Sequence, residues 1–396
     1  MLLTATIQRI VIQEKPGKFS KSRIRPYKRI AELLAELMKE ESQFFSQKGY
    51  ITDSRQFYFF SYAFISFNWD PIMAWLIFNT HKKINDEKIN LKNSRLRLMN
   101  DSGDGIGIRK ILDEDDIGNK DMLAFMMNEA TCQRINDPKY QEGDKSRLIR
   151  VGKMLFPHAG LGWRICPRCG KLFTDFGENL EDLHSTAALG PDLLPGLNVA
   201  SKERTKIEHN FSQRGEYGTI QCVFCGSTTK PYDSPLILQS AIKSDRHYVL
   251  EGILRETGLV VGNARHLVFA GYSLPDDDYL YRCFFQSSMA GRSASGKKMF
   301  CSFVNFDKTY ISQVTGQAWL KKNEIIRYVE HSKKADKNVQ ETVVRLIELF
   351  GLDNIRVSLL GIPDIILNHP KKDEKEALID LLYPKHCFKG GFPVKR

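Results

Sequence analysis

The sequence contains no uninterrupted run of about 18 apolar residues, the length a membrane-spanning helix needs. Its densest aromatic run, Phe57 to Trp69, has only the length of a strand and ends in Asn68-Trp69-Asp70. The opening MLLTATIQRIVIQEK lacks the charged start, long apolar core and small-residue cleavage site of a secretion signal. A cytoplasmic protein without membrane association is expected. Cysteine is scarce, with 8 in 396 residues, which excludes a disulfide scaffold. Glycine-rich nucleotide or calcium loops are missing too. The one tempting stretch, NDSGDGIGIRK from Asn100, has Ile111 where a calcium loop closes with glutamate. As a phosphate loop, its Gly103, Gly105 and Gly107 are wrongly spaced and no strand precedes them, so it reads as a surface turn.

The charge balance leans the other way, to a net +11. That excess favours an anionic partner such as a dinucleotide, nucleic acid or acidic protein, and an ordinary solvated surface accounts for it equally well. Residues 15–29, KPGKFSKSRIRPYKR, hold seven basic residues with neither helical nor strand period, and read as a flexible basic arm. Ile30, Leu33, Leu34, Leu37 and Met38 then follow a helical spacing that should end near Gly49.

From residue 57 the chain alternates. Phe57 to Phe67 reads as a strand buried on both faces, followed by a polar turn and the apolar helix PIMAWLIFN. Residues 120–135, rich in Met and Leu, read as a further helix. After a polar excursion over 174–220 the globular pattern returns. A helix is expected at 245–257, a strand from Leu267 into Gly271, a helix at 276–290, a strand at 298–306, a helix at 339–350, a strand at 355–360 and a charged helix before the basic tail. Such alternation predicts an α/β fold with a Rossmann-like doubly wound parallel sheet. The expected segments are a basic arm and helix (1–50), a first α/β part with a helical insertion (51–160), a metal module (161–234), a second α/β part (235–360) and a helical tail (361–396).

Two knuckles, CPRCG at 166–170 and CVFCG at 222–226, carry the strongest chemical signal. A zinc ribbon takes two thiolates from each of two tight turns, and the glycine after the second cysteine lets the backbone fold back toward sulfur. Cys166, Cys169, Cys222 and Cys225 would close a tetrahedral shell with no position left for water, so the zinc would be structural. The metal module is therefore expected to be an inserted zinc ribbon.

The first knuckle ends a longer stretch, FPHAGLGWRICPRCG, in which His158 stands just ahead of the metal ligands. In order, the chain presents SFNWD, HAGLGW, CPRCG, CVFCG, LVFAGYSLPDDD and a late strand ending FVNFD. That order resembles the sirtuin-like family of NAD-binding proteins, in the variant used in bacterial defence, over residues 55–310. The resemblance implies an enzyme that cleaves the nicotinamide–ribose bond of NAD. It implies that Asn68 and Asp70 hold nicotinamide and the attacking water, and that His158 takes a proton from a ribose hydroxyl. Gly271 and Ser273, with Tyr272 between them, would face phosphate, and Asn305 or Asp307 would reach the adenosine ribose.

The chain also departs from that pattern. No Gly-Ala-Gly phosphate turn precedes Asn68, so an N-terminally shortened or split member is expected. His158-Ala159-Gly160 stands where the family has His-Gly-Ser, and Gly162 replaces an asparagine before Trp163. Three functions follow as alternatives to NAD hydrolysis in antiviral defence. One is a catalytically inactive zinc-containing module that binds ADP-ribose or a protein partner, with homo-oligomerisation open to it. The second is an NAD-dependent protein deacylase. The third is nucleic-acid binding through the basic arm.

Overall fold

The structure, a computed structural model, describes residues 25–47, 57–67, 97–99, 107–108, 122–126, 149–160, parts of 164–175, 220–221, 227–229 and, with short interruptions, 248–393. In chain order these form helix α1 (Arg25–Gln47) and strands β1 (Phe57–Ile65), β2 (Arg97–Met99), β3 (Gly107–Ile108), β4 (Met122–Met126) and β5 (Ile149–Leu155). Next come the short strands β6 (Arg164–Ile165), β7 (Leu172–Asp175), β8 (Ile220–Gln221) and β9 (Thr228–Thr229). The remainder is α2 (Tyr248–Asn263), β10 (His266–Ala270), α3 (Tyr279–Ala294), β11 (Phe300–Val304), α4 (Lys322–His331), α5 (Lys337–Phe350), β12 (Ile355–Ser358), α6 (Ile362–Leu367) and α7 (Glu374–Leu382). The chain is a mixed α/β protein that divides into two compact units. One is Met1–Leu238 with Asp245–Glu256, and the other is Gln239–Ser244 with Thr257–Arg396.

The first unit is built on a parallel sheet of order β1-β5-β4. Parallel neighbours cannot be joined by a tight hairpin. α1 buries Ile30, Leu33, Leu34, Leu37 and Met38, the spacing expected for its apolar face, while Arg29 pairs at the surface with Glu32 and Glu36. The Tyr62 hydroxyl donates to the Leu34 carbonyl at 3.4 Å and ties β1 to that helix. Residues 62–67 are half-buried, where burial on both faces was expected.

The stretch expected as a helix over 120–135 contains β4 instead, in parallel register with β5 from Met122↔Ile149 to Met126↔Lys153. Five apolar residues in a row carry no period that separates helix from strand, and the open side of β5 takes them as a strand. At the other end of β5, Lys153 donates to Glu256 of α2 at 2.9 Å. Glu256 is almost wholly buried, so this pair compensates a charge that would otherwise be stranded away from water.

The second unit holds the parallel sheet β10-β11-β12, with Val268↔Ser302 and Ser302↔Arg356 in register. β11 is central, and Cys301, Ser302, Phe303 and Val304 are all buried. Helices contact both faces. On one, Phe269 meets Phe285 of α3 and Phe350 of α5 edge-on, with ring centroids 5.3 and 6.0 Å apart. On the other, Arg356 donates to the Asp380 carboxylate of α7 at 3.1 Å. α5 forms where a helix was expected and starts two residues earlier: Asp336 caps it by accepting from Asn338 and Val339, Val339, Val343, Leu346 and Phe350 are buried, and Gly351 at φ 78° ends it. α4 and α6 were not anticipated. Only Ile325 and Tyr328 of α4 are buried, too narrow an apolar stripe to stand out in sequence.

Candidate functional site

In the first unit His158 stands where the parallel strands β1 and β5 end. The Ser66 N–H donates to the Leu155 carbonyl at 2.8 Å, carrying the β1–β5 pairing one step past both strands. Phe67 and His158 therefore leave the same edge of the sheet, the edge at which open α/β sheets bind ligands. Nδ1 of His158 lies 3.0 Å from the Phe67 carbonyl oxygen. A carbonyl can only accept, so Nδ1 carries the proton, and in the neutral ring Nε2 is the basic nitrogen. The Phe67 ring packs edge-on against the imidazole, centroids 5.6 Å apart, and His158 is fully buried. Asn68 and Asp70, which follow Phe67 in the chain, lie outside the described residues.

The backbone beside His158 is unusual. The Ala159 N–H closes a turn onto the Phe156 carbonyl at 2.9 Å, and Ala159 takes φ 62°. A residue with a β-carbon enters this left-handed region at a cost of about 1 kcal/mol or more. Among the described residues only one other non-glycine does so, Leu274 at φ 46°, and it directly follows Ser273.

In the second unit, Gly271, Tyr272 and Ser273 form the exit from β10. Gly271 takes φ 64°, is exposed, and donates to the Val304 carbonyl at 3.1 Å; a β-carbon there would meet nothing within 4 Å. The Tyr272 hydroxyl donates to buried Asp278 at 2.6 Å, and burial together with that carboxylate pushes the phenol well above its usual range. The Ser273 carbonyl accepts from Thr342 at 3.1 Å and Arg345 at 3.4 Å, both on α5. These contacts hold the turn in its strained form. Asp278 ends the quoted LVFAGYSLPDDD segment without having been given a role, whereas nothing in sequence links Thr342 and Arg345 to the turn.

The exit from β11 carries the last two predicted residues, and they differ in role. The Asn305 N–H donates to the Ser358 carbonyl at 3.1 Å, placing Asn305 between the exits of β10 and β12, and its Oδ1 accepts from the Phe306 N–H at 2.8 Å. Asp307 points inward. It is buried, and its Oδ2 accepts from the Tyr328 hydroxyl at 2.7 Å and the Asp336 N–H at 2.9 Å. Asp307 thus pins α4 and α5 to the strand end.

Each cysteine knuckle is bracketed by a hairpin. β6 and β7 pair antiparallel across 166–171, and β8 and β9 pair antiparallel across 222–227. Gly170, directly after Cys169, takes φ 69°, the left-handed turn a knuckle glycine supplies. Cys166, Cys169, Cys222 and Cys225 lie outside the described residues, and among the described residues no group of metal-binding side chains occurs. β2 pairs antiparallel with β7 and β3; Gly107 and Ile108 of the NDSGDGIGIRK stretch, read as a surface turn, belong to strand β3, and the rest of that stretch lies outside the described residues.

Among the described residues no helix is long and apolar enough to cross a membrane. The chain matches no protein-family model, no curated protein and no solved structure.

Proposed function

We propose that the chain is a sirtuin-like NAD-binding protein that hydrolyses the nicotinamide–ribose bond of NAD. One observation carries this reading: the only two left-handed non-glycine residues among those described directly follow His158 and Ser273, each at the carboxyl edge of a parallel sheet. Backbone strain of this kind persists where surrounding contacts over-determine it, and it concentrates at ligand-holding turns. The helices against both faces of β10-β11-β12 fit a Rossmann-like doubly wound layer.

In the proposed reaction a bond forms from water oxygen to ribose C1′ as the bond from C1′ to the nicotinamide nitrogen breaks. Nicotinamide leaves neutral, and the one proton released by water passes to the ribose hydroxyl oxygen as that hydroxyl gives its own proton to His158. Asn68 and Asp70 would orient nicotinamide and water. His158 would accept a ribose hydroxyl proton on Nε2, the nitrogen left basic by the Phe67 carbonyl. The turn at Gly271, Tyr272 and Ser273 would face phosphate with bare backbone, and Asn305 would reach the adenosine ribose. Because the Asp307 carboxylate is engaged inside the protein, Asn305 is the better candidate of the two.

Cys166, Cys169, Cys222 and Cys225 would hold one structural zinc, and the hairpins around both knuckles fit that donor set. Bound zinc would tie the two knuckles together and supply no chemistry to the reaction.

The full burial of His158 favours a second reading, a module that binds ADP-ribose without turnover. One experiment separates them. Purified protein is incubated with NAD and free nicotinamide is followed by chromatography, beside calorimetric titration with ADP-ribose. Nicotinamide release by wild type, lost in His158→Ala, supports hydrolysis. ADP-ribose binding with no release supports the module. Neither binding nor release overturns both.

A further inference from the structure

Phe306 is 52% exposed, although its neighbours Asn305 and Asp307 at the end of the central strand are both hydrogen-bonded. The other large hydrophobic side chains exposed among the described residues, Leu259, Tyr279 and Ile326, all sit on helices. Phe306 alone stands at a strand's carboxyl end, the edge at which open parallel sheets take ligands.

Its orientation is set from below. Phe306 forms an isolated antiparallel bridge with Leu360, and the next residue, Gly361, donates to the Asn305 carbonyl at 3.0 Å. Gly361 takes φ 80°, and a β-carbon on it would come within 3.4 Å of Phe306 Cβ and 3.6 Å of Cδ2. The aromatic side chain is therefore steadied at Cβ and Cδ2 beside a backbone without a side chain, while about half of the residue stays exposed. At the β10 exit, whose Gly271 donates to β11 at Val304, a side chain is again missing and the space above it is empty.

A half-exposed aromatic ring held beside the backbone offers the kind of surface on which a nucleobase stacks. We infer that Phe306 is the platform for the adenine of an ADP-ribose-containing ligand, with Asn305 beside it toward the ribose; this rests on the proposed nucleotide-binding function. Phe306 then sets base preference, because stacking rewards an extended purine over a bare sugar phosphate.

The test compares wild type, Phe306→Ala and Phe306→Leu by calorimetric titration with ADP-ribose and with nicotinamide mononucleotide, which lacks adenine. The leucine keeps apolar contact with Gly361 and removes the ring, so a folding defect in the alanine variant does not end the test. Both variants are expected to lose roughly 5- to 100-fold in ADP-ribose affinity. Affinity for nicotinamide mononucleotide should stay within about twofold of wild type, inside the range of a surface change that touches no contact. Phe306→Trp should bind ADP-ribose at least as tightly as wild type and show quenching of the new indole. Unchanged ADP-ribose affinity in the leucine variant overturns the inference alone, as does an equal loss for both ligands. Failure of wild type to bind ADP-ribose overturns the functional reading and the inference with it.

Discussion

The carbonyl of Phe67 takes the Nδ1 proton of His158 at 3.0 Å, so the imidazole has one fixed tautomer before any ligand arrives. This relationship makes structural and chemical roles of the histidine separable. Asparagine can place an N–H where Nδ1 stands and has nothing where Nε2 stands. His158→Asn is therefore expected to lose nicotinamide release while unfolding in urea within about 1 kcal/mol of wild type. His158→Ala leaves the Phe67 carbonyl without this donor and opens a gap beside its ring, and should lose about 2–4 kcal/mol. Equal stability of the two variants would show that the Phe67 bond contributes nothing.

Ala159 pays for its left-handed backbone with strain that glycine would not carry. Ala159→Gly relieves about 1 kcal/mol but gives up a fully buried methyl worth about 0.8 kcal/mol and adds freedom to the unfolded chain. The net change in stability should be within about 1 kcal/mol of zero. Ala159→Val forces a β-branched side chain into the same conformation in a buried turn and should lose about 3 kcal/mol or more. Chemical denaturation of the two variants checks both signs.

The exits of β11 offer a paired test. Asp307→Asn weakens the bonds to Tyr328 and Asp336, and should lower stability by about 1–3 kcal/mol while leaving ADP-ribose affinity unchanged. Asn305→Ala should do the reverse, weakening ADP-ribose binding roughly tenfold with a loss of stability near 1 kcal/mol. Thermal unfolding and titration on the same preparations distinguish the two residues.

The knuckles predict metal content independent of any activity. Protein purified without chelator should carry zinc near one equivalent by elemental analysis, released as the thiols are titrated with a mercurial. Cys222→Ser or Cys225→Ser should lower occupancy sharply and destabilise the module, because binding energy of this kind is folding energy. Full-length protein free of zinc and as stable as the metal-loaded form would remove the ribbon from the account.

What was legible in sequence was local. Phe57 to Ile65 and Phe300 to Val304 announced strands because short apolar runs with β-branched and aromatic residues end in polar turns. The α5 helix, expected at 339–350, runs over Lys337–Phe350. Met122–Met126 did not announce its strand, since its conformation is decided by a vacancy beside β5 and not by its own period. Asn305 and Asp307 look alike as polar residues leaving a strand. Only the fold leaves Asn305 bonded to the next backbone N–H and buries Asp307 against the hydroxyl of Tyr328, twenty-one residues on. Phe67 was part of a motif read for its neighbours Asn68 and Asp70, so its carbonyl, a group every residue has, carried no signal.

A polar network under the second sheet predicts how stability follows pH. The Leu382 carbonyl accepts from His266 Nδ1 at 3.2 Å, so Nε2 accepts the Ser302 hydroxyl at 2.7 Å, while Arg356 donates to the same hydroxyl at 2.6 Å and to Asp380 on α7. Burial and then the Arg356 guanidinium push His266 down to about 3. The folded protein keeps the ring neutral between that value and the ordinary 6.5, where the unfolded chain takes up a proton. Stability from this group is thus complete above pH 6.5 and falls on acidification by up to about 1.4 kcal/mol per pH unit until about pH 3. Asp380, held below the usual carboxylate range by Lys372 and Arg356 against the opposing effect of burial, adds a loss of the same sign at lower pH. In urea titrations at pH 7, 6 and 5, wild type should weaken steadily. His266→Gln should start less stable and change far less over that range, and a slope equal to wild type would mean that the histidine titrates normally and the network does not hold it neutral.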